Sequence, residues 1–303
     1  MNERPVPPLP RAALWALLFL AAVFFALPLV WMLATSLKPE TQAASQSLSL
    51  LPDPPSSALR HARDNYAAVW TDPSIPFPLY LRNTLVVAVL AVMGTTLSSA
   101  FVAYSLSRVP WRGRSLVFGT VLVSMMIPFP VLMVPLFVLF RRIDDTMLAL
   151  GLPPEHDWLR FIGTLKPLWV PAWFGGAFNI FLLRQFFMSI PRELDEAARI
   201  DGCGHWTIFW RVIVPLSRPA LAVVALFHFI YVWNDFLAPM IFLTHRDQFT
   251  LALGLQMYQS KAGLTPWNLL MAASTMVTAP VLLLFLLTQR SLVRSVAGAG
   301  LKE

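Results

Sequence analysis

One acid lies inside a long apolar stretch of this sequence: Asp235, in the segment 219–244. An ionisable side chain at membrane depth is costly unless it faces a wet cavity or a partner, so its position alone makes Asp235 a functional candidate. Trp233 and Asn234 stand beside it, an aromatic face and an amide suited to a sugar ring. Consecutive helical residues point about 100° apart, so the three span about 200° of the helix surface and cannot all line one cavity. Holding neighbouring helices by hydrogen bonds is a reading of equal weight for Asn234 and Asp235. His228 lies seven residues earlier on the same helical face. With Asp235 as its only titratable companion, it reads as a packed histidine rather than a proton relay.

Reactive groups are sparse elsewhere. The single cysteine, Cys203, excludes an internal disulfide and leaves neither a CxxC pair nor a Cys/His cluster for a metal. Only His205 nearby would favour its thiolate, so it reads as incidental. There is no GxxxxGK[ST] phosphate loop, no HExxH, no GxSxG and no paired-carboxylate cluster in a plausible cavity. An enzyme has no chemistry to stand on here.

The elements that must position these residues belong in a bilayer. Hydrophobic residues make up 57% of the 303 and charged ones only 13%, and mean hydropathy is +0.63. In an ordinary soluble domain charged residues approach about a quarter. The formal charge is +7, but the basic residues are scattered between apolar blocks and form no face for nucleic acid. Charge-free intervals run from Arg11 to Lys38, Arg82 to Arg108, Arg114 to Arg141 and Lys261 to Arg290. Each exceeds the roughly 20 apolar residues that cross a membrane as a helix. A shorter interval, Lys166 to Arg184, contains Gly175 and Gly176, and the segment around Asp235 supplies another. The expectation is an all-α membrane protein, one transmembrane domain over 1–303, with spans at about 12–34, 83–107, 115–140, 167–187, 219–243 and 268–288. The first segment is too long for a signal peptide's apolar core and lacks a small-residue cleavage site, so it is read as a retained span. Pro128, Pro130 and Pro135 would kink the third span, as membrane helices tolerate.

Six spans put both termini on one side. Basic residues are denser in 1–11, 108–114, 184–218 and 290–303 than in the other loops. The positive-inside rule therefore places these segments, and the termini, in the cytoplasm. Of the outside loops, 38–82 holds Pro52, Pro54, Pro55, Pro73, Pro76 and Pro78, so it is expected to be extended, with little regular structure. The next, 141–167, reads as a solvated rim that includes Pro153, Pro154, Glu155, His156 and Asp157.

The inside loop 190–218 reads IPRELDEAARIDGCGHWTIFWRVIVPLSR. Pro191 suits a helix start, Glu193, Asp195 and Glu196 favour its positive end, and Gly202 can take the left-handed conformation that ends it. A second short helix follows, with Trp206, Phe209, Trp210 and Ile213 at three- and four-residue spacing. Such an apolar stripe wants a partner, or else rests on the membrane interface.

This loop resembles the EAA motif of ABC importer permeases, through Glu196, Ala197, Ala198, Gly202, Val212, Val214 and Pro215. Valine stands where the family often has Ile or Leu. Nearly the whole chain is similar to the maltose-type carbohydrate permeases: Asn65-Tyr66, Leu81-Arg82-Asn83-Thr84, Phe181 through Phe187, Trp233 through Phe236, and Gln289-Arg290 with Gly300-Leu301-Lys302. The loop between the third and fourth expected spans is longer than usual, and the tail ends in Lys302-Glu303 where many relatives have Lys-Gly.

The resemblance implies the type I importer fold, with coupling helices seated in a cytoplasmic ATPase through Glu196, Ala197, Ala198, Asp201, Gly202 and Pro215. It implies a second homologous permease, a dimer of ATPase subunits holding ATP and Mg, and an extracytoplasmic sugar-binding protein. This chain itself would bind no cofactor and translocate a sugar past Trp233, Asn234 and Asp235 in the inner membrane. An importer of another small solute is the alternative, and a lone secondary transporter would show inverted halves, which are not evident.

Overall fold

A computed structural model of the chain describes residues 11–45, 49–151, 160–259 and 265–300, with side chains to 289. Arg4, the segment 153–157, Lys261 and the tail 301–303 lie outside the described residues. The main helices are α1 (Arg11–Ser36), α2 (Ala58–Thr71), α3 (Phe77–Ser107), α4 (Arg114–Ser124), α5 (Phe129–Ala149) and α6 (Ala177–Ser189). There follow α7 (Glu193–Ile200), α8 (His205–Leu216), α9 (Arg218–Trp233), α10 (Leu237–Phe242), α11 (Leu251–Gln259) and α12 (Trp267–Gly300). Among the described residues there is no strand. Contacts divide the chain into two units, 1–76 with 255–279, and 77–254 with 280–303.

In the first unit α1 is apolar along its length, and only its end, Ala34 to Ser36, is buried. A polar clasp fixes that end. Asn65 Nδ2 of α2 donates to the carbonyls of Ser36 (2.8 Å) and Lys38 (2.9 Å), satisfying backbone acceptors that a helix end leaves open. Asn65 Oδ1 accepts from Asn268 Nδ2 at 2.8 Å. The 14-residue α2 corrects the expectation of an irregular 38–82 loop. The prolines cluster at 52–55 and 73–78 and leave a proline-free stretch between them. Helix breakers flanked this element without entering it.

In the second unit α3 is the hub, packing along α6, α9 and a 3₁₀ turn at Val170–Phe174. The expected third span is two helices, α4 and α5, meeting at 102°. Pro128 disfavours helical backbone at Ile127 and so stops α4, whereas Pro135 sits inside α5 without breaking it. The expected fourth span is likewise interrupted: a one-turn helix (Lys166–Trp169), the 3₁₀ turn, then Gly175 at φ 90° and α6. Small and hydroxylated residues of α3 satisfy this break, as polar groups do between membrane helices. Ser99 Oγ accepts from Gly176 N at 3.1 Å, Ser98 Oγ lies 3.3 Å from the Ala172 carbonyl, and Thr95 Oγ1 accepts from Asn179 Nδ2 at 3.2 Å. Gly94 leaves room for Trp173, since a Cβ there would lie 2.5 Å from the indole.

Among the described residues three helices are long and apolar enough to cross a membrane: Arg11–Ser36, Phe77–Ser107 and Trp267–Gln289. Counting the bent pairs α4–α5 and α8–α9 (78°) as one span each gives five. The 13-residue α6 is too short to span alone.

Candidate functional site

The loop 190–218 folds as two helices around a glycine turn. Arg192 precedes α7, whose first turn carries Glu193, Asp195 and Glu196. At its end Gly202 takes φ +80°, Gly202 N donates to the Arg199 carbonyl (3.0 Å) and Cys203 N to the Ala198 carbonyl (2.9 Å). This pair of bonds is the Schellman arrangement, which favours glycine. A Cβ on Gly202 would meet nothing within 4 Å, so within this chain the glycine serves conformation.

In α8 the predicted apolar stripe divides. Phe209 and Ile213 are buried with Ala103, Leu183 and Phe187, whereas Trp206 and Trp210 stay exposed. Each fully buried side chain of this size contributes about 1.5–3 kcal/mol, enough to hold α8 against α3 and α6. Residues Phe209–Ile213 widen into a π-helical turn. Pro215 lacks the N–H that would serve the Arg211 carbonyl, and its ring would crowd that carbonyl in a regular helix. A π turn relieves both.

Glu196, Ala197, Asp201 and Gly202 are exposed, and Ala198 and Pro215 half-buried. Leu194 and Ile200 are exposed with them, Ile200 at 87%. The outward face of α7 is thus acidic and apolar together.

Asp195 turns the other way. It is buried and pairs with Arg108 at 3.1 Å, just past the end of α3. Arg108 also donates through Nη2 to the carbonyls of Phe187 and Ile190. Tyr104, one turn earlier in α3, donates to the His205 carbonyl at 3.1 Å. Sequence reasoning missed this cluster, because Arg108 read as a basic loop residue and Asp195 as a first-turn acid. The two are 87 positions apart and no spacing rule joins them.

Within this chain Trp233, Asn234 and Asp235 have three different surroundings. The helix ends at Trp233 and resumes at Leu237. Trp233 is 2% exposed and stacks on Phe229 at 5.1 Å, so it is core. Asn234 is exposed, and its Nδ2 donates to the Ile230 carbonyl at 2.8 Å. Asp235 Oδ1 accepts from Ala238 N at 3.2 Å. Both bonds are local, within four residues along the chain. With the helix ending at Trp233, the register that put His228 and Asp235 on one face does not hold; His228 stacks on Tyr231 at 5.9 Å.

The family model described as "Binding-protein-dependent transport system inner membrane component" matches residues 95–298. The chain is 30% identical to the arabinooligosaccharides transport system permease protein AraQ of Halalkalibacterium halodurans, over 95% of this chain and 94% of that one. It is 34% identical to the diacetylchitobiose uptake system permease protein NgcG of Streptomyces coelicolor, over 93% and 86%. It is 30% identical to the trehalose/maltose transport system permease protein MalG of Thermococcus litoralis, over 93% and 94%. Among solved structures, a bacterial ABC transporter involved in alginate import is similar at a TM-score of 0.73 and 24% identity, covering 94% of this chain and 99% of that chain.

Proposed function

The chain belongs to the family of binding-protein-dependent transport system inner membrane components, and we propose that within it this protein is the permease subunit of an ATP-driven importer of a sugar or oligosaccharide. The observation that carries the sugar assignment is the range of the relatives. Permeases named for arabinooligosaccharides, diacetylchitobiose and trehalose/maltose each match over at least 93% of this chain.

In this reading six spans cross the inner membrane with both termini cytoplasmic, and the fourth is broken at Gly175-Gly176. The loop 190–218 offers Glu196, Ala197, Asp201 and Ile200 to an ATPase dimer that holds the ATP and Mg. A second homologous permease completes the path, and an extracytoplasmic binding protein delivers the sugar. ATP binding closes the ATPase dimer, the loop moves with it, and the path opens alternately to the two sides. This chain's contribution is positional, because it has no phosphate-binding loop of its own.

Reconstitution with the second permease, the ATPase and the binding protein tests this. Vesicles should accumulate the sugar that the binding protein captures, only when ATP is supplied to the ATPase side. Uptake by the chain alone, driven by an ion gradient, would overturn the reading. Cytoplasm-dependent reporters fused at residue 303 and within 108–114 should be active, and one near Pro54 silent; the reverse pattern would invert the topology.

A further inference from the structure

Helix α3 is held at both ends by side chains that reach other parts of its own unit. At its C-terminal end Arg108 is buried, its guanidinium shared between the Asp195 carboxylate of α7 and the carbonyls of Phe187 and Ile190. At its N-terminal end Asn83 Nδ2 donates to the carbonyls of Asp247 (2.8 Å) and Phe249 (3.0 Å). Beside it Thr84 Oγ1 accepts from Leu251 N at 2.9 Å. Between these two points α3 is continuous, with no proline after Pro78 in its first turn. The distance from Asn83 to Arg108 along a helix is about 38 Å. A helix of that length, packed along α6 and α9, is stiff on the scale of the joints at its ends.

Asp195 and Glu196 are adjacent yet face opposite ways. The exposed Glu196 is free to meet a partner, while Asp195 is committed to Arg108. Asp195 is therefore the point at which a push on α7 would enter the body of the permease. The pair also retains slack. Arg108 Nε and Asp195 Oδ1 have no hydrogen-bond partner among the described residues, so a second arrangement of the same two groups is chemically available.

We infer that Arg108 and Asp195 are positioning residues that fasten the coupling helix α7 to α3, and that α3 transmits movement of α7 to the segment 247–251 held by Asn83 and Thr84. This rests on the importer reading above. It assigns to the pair a role beyond holding the fold, and makes 247–251 the place where nucleotide state is felt at the other end of the unit.

The test uses the whole complex in lipid, with Asp195→Asn, Arg108→Lys and Asn83→Ala made separately. Asn keeps the shape of Asp without its charge, Lys keeps the charge of Arg without its fork, and Asn83→Ala removes two of the three bonds at the far joint, leaving that of Thr84. Two quantities are read at matched ATPase content: hydrolysis stimulated by sugar-loaded binding protein relative to basal hydrolysis, and hydrogen exchange of the 247–254 backbone with and without ATP.

We expect basal hydrolysis to persist in all three while the stimulation ratio falls about fivefold or more, the lower range of coupling between sites. The ATP-dependent change in exchange at 247–254 should be present in the parent and lost in Asp195→Asn and Arg108→Lys. Stimulation and exchange like the parent's in both inner-end variants would overturn the inference. Loss of ATPase binding together with basal hydrolysis would also overturn it, by reducing the pair to a fold-holding role. Failure of the importer reading looks different: the parent complex itself would show no stimulation by sugar-loaded binding protein.

Discussion

Asp195 and Glu196 carry the same charge one position apart and have opposite surroundings, the first buried against Arg108 and the second exposed. Sequence could place both in the first turn of a helix, where acids are favoured, but could not say which one faced inward. That depended on an arginine 87 residues away. Residue types alone left Trp233, Asn234 and Asp235 open between a sugar path and a hydrogen-bonding role. Within this chain Trp233 is core and Asp235 accepts from the start of the next short helix. Asp235→Asn retains an acceptor for Ala238 N and should therefore preserve assembly with the partner subunits. Asp235→Ala loses the bond, at a cost of about 1 kcal/mol by analogy with capping residues, and should lower the thermal stability of the purified complex. If Asp235→Asn instead abolishes uptake with assembly and stability intact, the acid works in the pathway and the hydrogen-bonding account fails.

Helices were legible where composition was one-sided and obscure where a break was satisfied by another element. The glycine turn at 202 and the helices flanking it followed from local chemistry alone, and they stand where expected. The bend before Pro128 was foreshadowed by its proline, but its size, 102°, was not. At Gly175-Gly176 the sequence showed only a short apolar interval. The reason a membrane helix can be interrupted there lies on α3, in Ser98, Ser99 and Gly94. Gly94→Val tests that joint. Its Cβ would lie 2.5 Å from Trp173, so the indole must leave or the helices part, at about 1–3 kcal/mol for overpacking. Thermal unfolding of Gly94→Val should begin at a lower temperature than the parent's, and Gly94→Val combined with Trp173→Ala should recover part of the loss. Unchanged unfolding in the single variant would mean that the close approach of α3 to the 3₁₀ turn does not support the fold.

For the molecule as a whole, membrane class and family were legible because they rest on properties summed over hundreds of residues: hydropathy, charge spacing and a long motif. Charge-free intervals suggest six spans, and among the described residues three of the long helices run uninterrupted while bends and breaks divide the others. The central claim is that the chain works by receiving force from an ATPase through 190–218. Glu196→Lys and Gly202→Asp address it well, because Glu196 is exposed and a Cβ at Gly202 meets nothing. Gly202→Asp costs about 1 kcal/mol or more of backbone strain, and neither change touches a predicted span. The measurement is co-purification of the ATPase together with substrate-stimulated ATP turnover in proteoliposomes, at matched membrane content of parent and variants. The account predicts normal insertion with weakened ATPase association or lost stimulation in both variants. Parent-like association and stimulation in both would contradict it.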